Sequence, residues 1–238
     1  MKRQNYLILL MALIFTACSS AQINRTLGDI LGEEGGTLTT QEVAAGLKQA
    51  LEKGTIQGTS QASKVDGYFK NPKIKIPLPS DVQEAENKLR QLGLGNAVDK
   101  FLLTMNRAAE NAADEAKPIF ISAIKSMTIQ DAWNILRGDK NAATNYLERT
   151  TSRQLYNSFK PVIEDVTEEV SLTRYYGDFA NVYNRIPGVN DINTDLNDYV
   201  TKKAIGGLFT LIAEEEEKIR EDPIARTTEL LKKVFSQQ

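Results

Sequence analysis

The sequence predicts an all-α fold: a helical bundle of long kinked helices, with one short extended or β-hairpin insertion around residues 68–79. Three observations predict it. Apolar residues recur at spacings of three and four over most of the chain beyond residue 40. Strand-like alternation is confined to Lys73-Ile74-Lys75-Ile76, which then meets Pro77 and Pro79. Gly, Pro and capping Ser, Thr or Asp residues punctuate the helical runs.

Composition narrows the chemistry. Of 238 residues, 29 are Lys or Arg, 31 are Asp or Glu, and 41% are hydrophobic, enough apolar material for a core. There is no histidine and a single cysteine. Imidazole bases, His-based triads and His metal ligands are excluded, as are an internal disulfide and a thiolate zinc site. A net charge of −2 exerts no general pull on nucleic acid, and no such partner is expected.

The first residues read as an export signal. Lys2 and Arg3 precede an apolar run from Leu7 to Phe15, and Thr16-Ala17-Cys18 follows. The run is too short for a comfortable membrane span. Phe15-Thr16-Ala17-Cys18 resembles a bacterial lipobox, with Phe15 where Leu is usual. The expectation is a lipoprotein signal peptide over residues 1–17, a lipid-anchored leader over 18–38 and a single helical domain over 39–238. Cys18 would carry the lipid, and several acyl chains give stable anchoring where one does not. Ser19 after the cysteine resembles the outer-membrane export pattern. The expected place is therefore the cell envelope, as an outer-membrane lipoprotein.

The elements follow in order. Thr39 or Thr40 caps a helix with Val43, Leu47, Ala50 and Leu51 on one face, expected to end at Gly54 and Gly58. Ser80 is expected to cap a helix over Asp81–Leu92, broken by Gly93 and Gly95. One long helix is expected from Asn96 to Met127, with an alanine-rich stripe and a kink at Pro118. Thr128 with Asp131 forms an acidic capping box for the next helix. Asn141–Val170 and Asp195–Glu221 are two further long helices, and residues from Pro223 to Phe235 form a last one. Gly206-Gly207 inside the Asp195–Glu221 helix weakens it, which points to a kink or a close backbone contact there.

An echo at an offset of 43 residues aligns Lys117-Pro118-Ile119-Phe120 with Lys160-Pro161-Val162-Ile163, and Trp133 with Tyr176. It suggests a repeated helical pair, with chance similarity as the alternative.

Further stretches carry a resemblance. They are Met105-Asn106-Arg107-Ala108-Ala109-Glu110, Gly138-Asp139 with Ala142-Ala143-Thr144-Asn145-Tyr146-Leu147, and Tyr199-Val200-Thr201-Lys202-Lys203-Ala204 with Gly207-Leu208-Phe209. Glu215-Glu216-Glu217-Lys218-Ile219-Arg220, Asp222-Pro223 and Leu230-Leu231-Lys232-Lys233-Val234-Phe235 complete them. Over roughly residues 25–236 the chain resembles DUF4197, a family of exported bacterial proteins of unknown function. The resemblance implies a helical, exported domain and carries no assigned catalytic residues.

Candidate sites follow from the residues themselves. Arg107, Glu110, Asp139, Thr144, Tyr146 and Lys202 form a possible ligand-binding or structural polar cluster. Arg107 and Glu110, three apart on a helix, suit an ion pair. Asp139 is expected to cap the helix that starts near Asn141, whose N–H groups would otherwise suit an anion. Trp133, Tyr175, Tyr176 and Tyr183 are a possible partner surface, or a seal between helices. Glu214, Glu217 and Glu221 share a helix face and are weak candidates for a divalent metal; no resident metal and no cofactor are expected. Ser122 and Lys125 fit Ser-x-x-Lys, but the companion motifs of penicillin-recognising enzymes are missing. Lys70, Lys73 and Lys75 make the insertion basic, suited to anionic lipid or peptidoglycan strands, or equally to an extended arm lying across the bundle.

The reading is a lipid-anchored envelope protein whose helical domain binds or scaffolds rather than catalyses, through a groove between helices. Its partners would be the membrane, through lipidated Cys18, and an envelope protein or glycan. The alternative is an envelope hydrolase or divalent-metal enzyme using carboxylates with Lys, Ser or Tyr.

Overall fold

A computed structural model describes residues 39–168, 176–177, 181, 184–185, 195–222, 232 and 234. Cys18, Tyr175, Tyr183 and the helix expected from Pro223 lie outside the described residues. Contacts divide the chain into Met1–Leu38 and Thr39–Gln238, and every described helix belongs to the second unit.

The protein is all-α. Among the described residues there are seven α-helices: α1 Thr40–Ala62, α2 Gln83–Gln91, α3 Gly95–Ala113, α4 Ala116–Ser126, α5 Ile129–Leu136, α6 Ala142–Glu168 and α7 Leu196–Glu221. The helix α7 packs on α1, α6 and α3, while α6 also packs on α3 and α4. The core lies between them: Phe101, Phe120, Leu147, Leu155, Phe159 and Ile163 are each at most 2% exposed. Burial of each such side chain stabilises the fold by roughly 1.5–3 kcal/mol.

Local chemistry explains most boundaries. At the start of α1, the Thr39 hydroxyl accepts the Glu42 N–H at 3.2 Å and Glu42 accepts the Thr39 N–H at 2.8 Å. The expected box at α5 forms likewise between Thr128 and Asp131. Asp195 caps α7 by accepting the Asp198 N–H at 3.0 Å.

Four expectations are corrected. The helix α1 continues through Gly54 and Gly58 to Ala62. These glycines are a contact surface and not a stop: a Cβ at Gly58 would stand 3.3 Å from Ile212 Cγ1 on α7, and one at Gly54 would stand 3.5 Å from Glu215 Cβ. The helix expected over Asp81–Leu92 begins later: Ser80 opens a 3₁₀ turn, Ser80–Val82, that leads into α2 at Gln83. The long helix over 96–127 is two helices, because Asp114 and Glu115 make tighter bonds to Asn111 and Ala112. Pro118 then falls in the first turn of α4, where its missing N–H costs no helical bond. By contrast Pro161 sits deep inside α6, so the two Lys-Pro pairs of the echo hold different structural positions.

The alanine stripe has a clear consequence. Ala108, Ala109, Ala112, Ala113 and Ala116 are all fully buried, and small side chains let helix backbones approach closely. Phe120 and Phe209 meet edge to face across α4 and α7, with ring centroids 5.8 Å apart.

The 68–79 segment forms turns followed by an extended stretch, with no strand partner among the described residues. It lies on α7, and Gly207 makes that possible. A Cβ there would stand 2.9 Å from Tyr68 Cε1 and 3.1 Å from Ile74 Cβ. Tyr68 is fully buried and its hydroxyl donates to the Ala204 carbonyl at 2.6 Å, so the ring is held in place. Gly206 differs: beyond its own stretch of helix, no described atom lies within 4 Å of its Cβ position. In urea denaturation, Gly207→Ala should destabilise the protein by about 1–3 kcal/mol through overpacking. Gly206→Ala should stabilise it by about 0.5–1 kcal/mol through helix propensity. Equal effects of the two substitutions would contradict this packing.

Candidate functional site

The 66–77 segment is held by side chains because it has no ladder to join. Buried backbone N–H groups must find acceptors. Glu110, 2% exposed on α3, accepts the N–H groups of Tyr68 and Phe69 through one carboxylate oxygen, each at 3.1 Å. Its other oxygen accepts from Arg107. Arg107 also donates to Asp66 at 2.6 Å, and Lys70 pairs with Asp66 at 2.8 Å. Asn106, fully buried, takes the Ile76 N–H at 2.8 Å and returns an N–H to the Ile76 carbonyl at 2.9 Å. Ile74, Ile76 and Leu78 point inward and are buried. At the segment's start, Asp66 adopts a left-handed backbone, φ 69°, a conformation that Asp tolerates better than most residues.

Across from this strap, the N-terminal half of α7 forms the second wall of an open groove of about 580 Å³. Lys73, Lys75 and Pro77 line it from the strap, and Tyr199, Lys202 and Lys203 from α7. Tyr199 joins the walls by donating its hydroxyl to the Pro77 carbonyl at 3.1 Å. Lys73 pairs with Glu214 at 2.7 Å, and Lys202 with Asp198 at 2.8 Å. Asp198 also accepts from Tyr156 on α6 at 2.8 Å. The Lys75 ammonium sits 4.6 Å from the Phe69 ring centroid, and that of Lys203 sits 5.7 Å from Tyr199.

A second polar centre is internal. Glu216 on α7 accepts the Ala143 N–H at 3.1 Å, the Thr144 N–H at 2.9 Å and the Thr144 hydroxyl at 2.8 Å. It thereby puts a carboxylate on the positive N-terminus of α6. Arg220, one turn on, pairs with Glu216 at 2.9 Å and donates to the Ile135 carbonyl near the end of α5 at 3.0 Å. An anion does sit at this helix start, and it is the protein's own carboxylate. Asp139 is exposed and does not cap α6 by its side chain; only its carbonyl accepts from Ala142. Glu216 has taken the N–H groups that Asp139 was expected to satisfy.

The six residues of the expected polar cluster thus divide by partner. Arg107 and Glu110 anchor the strap, Thr144 meets Glu216, and Lys202 lines the groove. Tyr146 is 8% exposed, with the Arg149 guanidinium 5.6 Å from its ring; burial, then the charge of Asp131, pushes its phenol up. Trp133 lies against the Arg137 guanidinium at 4.7 Å, and Tyr176 is buried. Glu214 answers Lys73, while Glu217 and Glu221 are exposed. Among the described residues, no three carboxylate or cysteine side chains converge on a cation position. Sequence reasoning missed Asn106, Tyr199, Lys203 and the internal role of Glu216. The available signal for Asn106 was a polar residue set into an alanine stripe.

Two predictions follow from these contacts. Removing Glu216 leaves three donors and Arg220 without their acceptor. Glu216→Ala should cost about 3 kcal/mol in urea denaturation, with Glu216→Gln costing less because one acceptor remains. The second concerns acid. Hydrogen bonds from Lys70 and then Arg107 hold the Asp66 carboxyl below the usual carboxylate range. Bonds from the Thr128 hydroxyl and N–H do the same for Asp131. A depressed folded value means stability that is complete above the unfolded value, near pH 4, and is lost as pH falls through the folded one. Urea midpoints should hold between pH 7 and about pH 5 and drop below about pH 4. The double variant Asp66→Asn, Asp131→Asn should show a shallower drop; an unchanged slope would exclude these two groups as contributors.

No helix among the described residues is long and apolar enough to cross a membrane. Neither the curated proteins nor the solved structures give a match to the chain. The family model described as "Protein of unknown function (DUF4197)" matches residues 37–236, a span that includes the strap, the groove and the Glu216 centre. The chain therefore belongs to the DUF4197 family.

Proposed function

We propose that the protein is a lipid-anchored cell-envelope protein whose helical domain binds a ligand without transforming it. The observation that carries the binding role is the groove between the strap and α7. It is wide, open and charged, and it is walled by a segment whose backbone is fixed by buried side chains. Such pre-formed concavity lowers the ordering cost of binding. Its polar lining is four lysines, Tyr199, Asp198 and Thr210, set among Ile74, Ile76, Pro77 and two glycines, and these polar groups are suited to holding charge and hydroxyl groups. The anchoring part rests on the basic start, the short apolar run and Cys18. A lipidated Cys18 would confine the domain to a membrane surface and raise the local concentration of any envelope ligand.

Two measurements test the two parts separately. Metabolic labelling with an alkynyl palmitate should tag the wild-type protein and leave Cys18→Ala untagged; equal labelling would remove the anchor from the reading. A photo-crosslinking residue at Thr210, exposed in the groove, should give adducts in intact cells. The same residue at Val65, 78% exposed and away from the groove lining, should not. Equal yields would place the binding surface elsewhere.

A further inference from the structure

Gly206 is a cost that the fold does not explain. Within the interior of a helix, glycine is about 1 kcal/mol less favourable than alanine. Gly207 is required by the strap packed on it, but no other side chain or element among the described residues comes within 4 Å of the Cβ position at Gly206. Gly206 also lines the groove. A bare backbone at that point lets a ligand approach the helix more closely than any side chain would allow. Local departures from good helix sequence that lack a structural reason point to function.

The charges around it have a direction. Within the groove, Asp198 is met by Lys202, and Lys73 by Glu214. Lys75 from the strap and Lys203 from α7 have no carboxylate partner among the described residues, and each has an aromatic ring beside it instead. The walls therefore present surplus positive charge from both sides. A single inorganic anion is small against a space of about 580 Å³. An extended peptide would need a free strand edge or apolar sockets. The Ile76 N–H and carbonyl are both taken by Asn106, and the side chains of Ile74 and Ile76 are buried. A flat bilayer surface does not reach a groove floor.

We propose that the groove takes an acidic glycan, an extended sugar chain bearing carboxylates. Its anionic groups face Lys75 and Lys203, and a sugar ring lies against the bare backbone at Gly206 beside Tyr199. This inference rests on the binding role proposed above and names the ligand class of the same groove.

The test is calorimetric, on the full chain purified in detergent, at low salt. The probes are an oligogalacturonate, neutral maltohexaose of similar length, and polyglutamate. The oligogalacturonate should bind and maltohexaose should not. Lys75→Ala and Lys203→Ala should each weaken binding by about fivefold. Gly206→Phe should abolish binding while the melting temperature holds or rises, which separates a blocked groove from a damaged fold. Undiminished binding by Gly206→Phe overturns the proposal. Binding of polyglutamate without the oligogalacturonate overturns the glycan assignment and leaves a binding groove in place. Binding of none of the three probes also overturns it, and the Thr210 adducts then decide the broader role independently.

Discussion

The groove depends on how α3 satisfies a piece of backbone that belongs to no helix. Residues 68–77 cross the bundle without a strand to pair with, and an unpaired buried N–H costs about 1–3 kcal/mol. Asn106 and Glu110, one helical turn apart, answer three of those N–H groups and one carbonyl. Glu110 stands within the stripe of buried alanines and Asn106 just before it, where small side chains leave room for the strap to come close. Once the strap is fixed there, its other side becomes a wall, and the lysines it carries are held facing α7. The ion pair of Glu110 with Arg107 matters for the same reason. It sets a guanidinium beside a buried carboxylate, and hydrogen bonds between charged groups are the stronger ones.

Glu216 plays a matching part at the other end of α7. Its carboxylate neutralises the start of α6, while Arg220 reaches the end of α5. The turn between α5 and α6 is thereby tied to a third helix, in addition to its own local bonds. This use of the acidic run explains why Glu214, Glu215 and Glu216 do not behave as one cluster. Each faces a different neighbour, Lys73, Lys218 and the α6 terminus, and α-helical geometry separates consecutive side chains by about 100° of rotation. Adjacent carboxylates in sequence are therefore poor evidence of a shared cation.

The helices were legible in the sequence where one residue type decides the outcome. The cap at Thr39 and the Thr128–Asp131 box depend on contacts three residues apart, so short-range pattern suffices. Gly54 and Gly58 misled because glycine both ends helices and lets them touch, and only the position of α7 distinguishes the two. The break at Asp114–Glu115 has no breaker residue, whereas Pro118 looks like one and sits harmlessly in a first turn. The site was legible in parts. The Arg107–Glu110 pair and the basic strap are local. The pairing of Glu216 with Thr144, and of Tyr199 with Pro77, spans 72 and 122 residues, and no local pattern reports such distances. Asp139 was the local answer to a need that a distant residue meets.

The helix α7 is where these constraints meet, and its two adjacent glycines show how they are divided. One face of α7 is core, with Ala204, Leu208 and Leu211 at most 1% exposed. Another carries the strap, and Gly207 is the residue whose side chain would collide with it. Gly206 is turned about 100° further round the same helix and faces the groove. A need for flexibility would give no reason for the two positions to differ, since neither has a left-handed backbone. A need for space does, and it separates them by what fills the space: Tyr68 and Ile74 at Gly207, and no packed neighbour among the described residues within 4 Å at Gly206. The first space is closed by the strap, and the second is the one that the proposed glycan would fill.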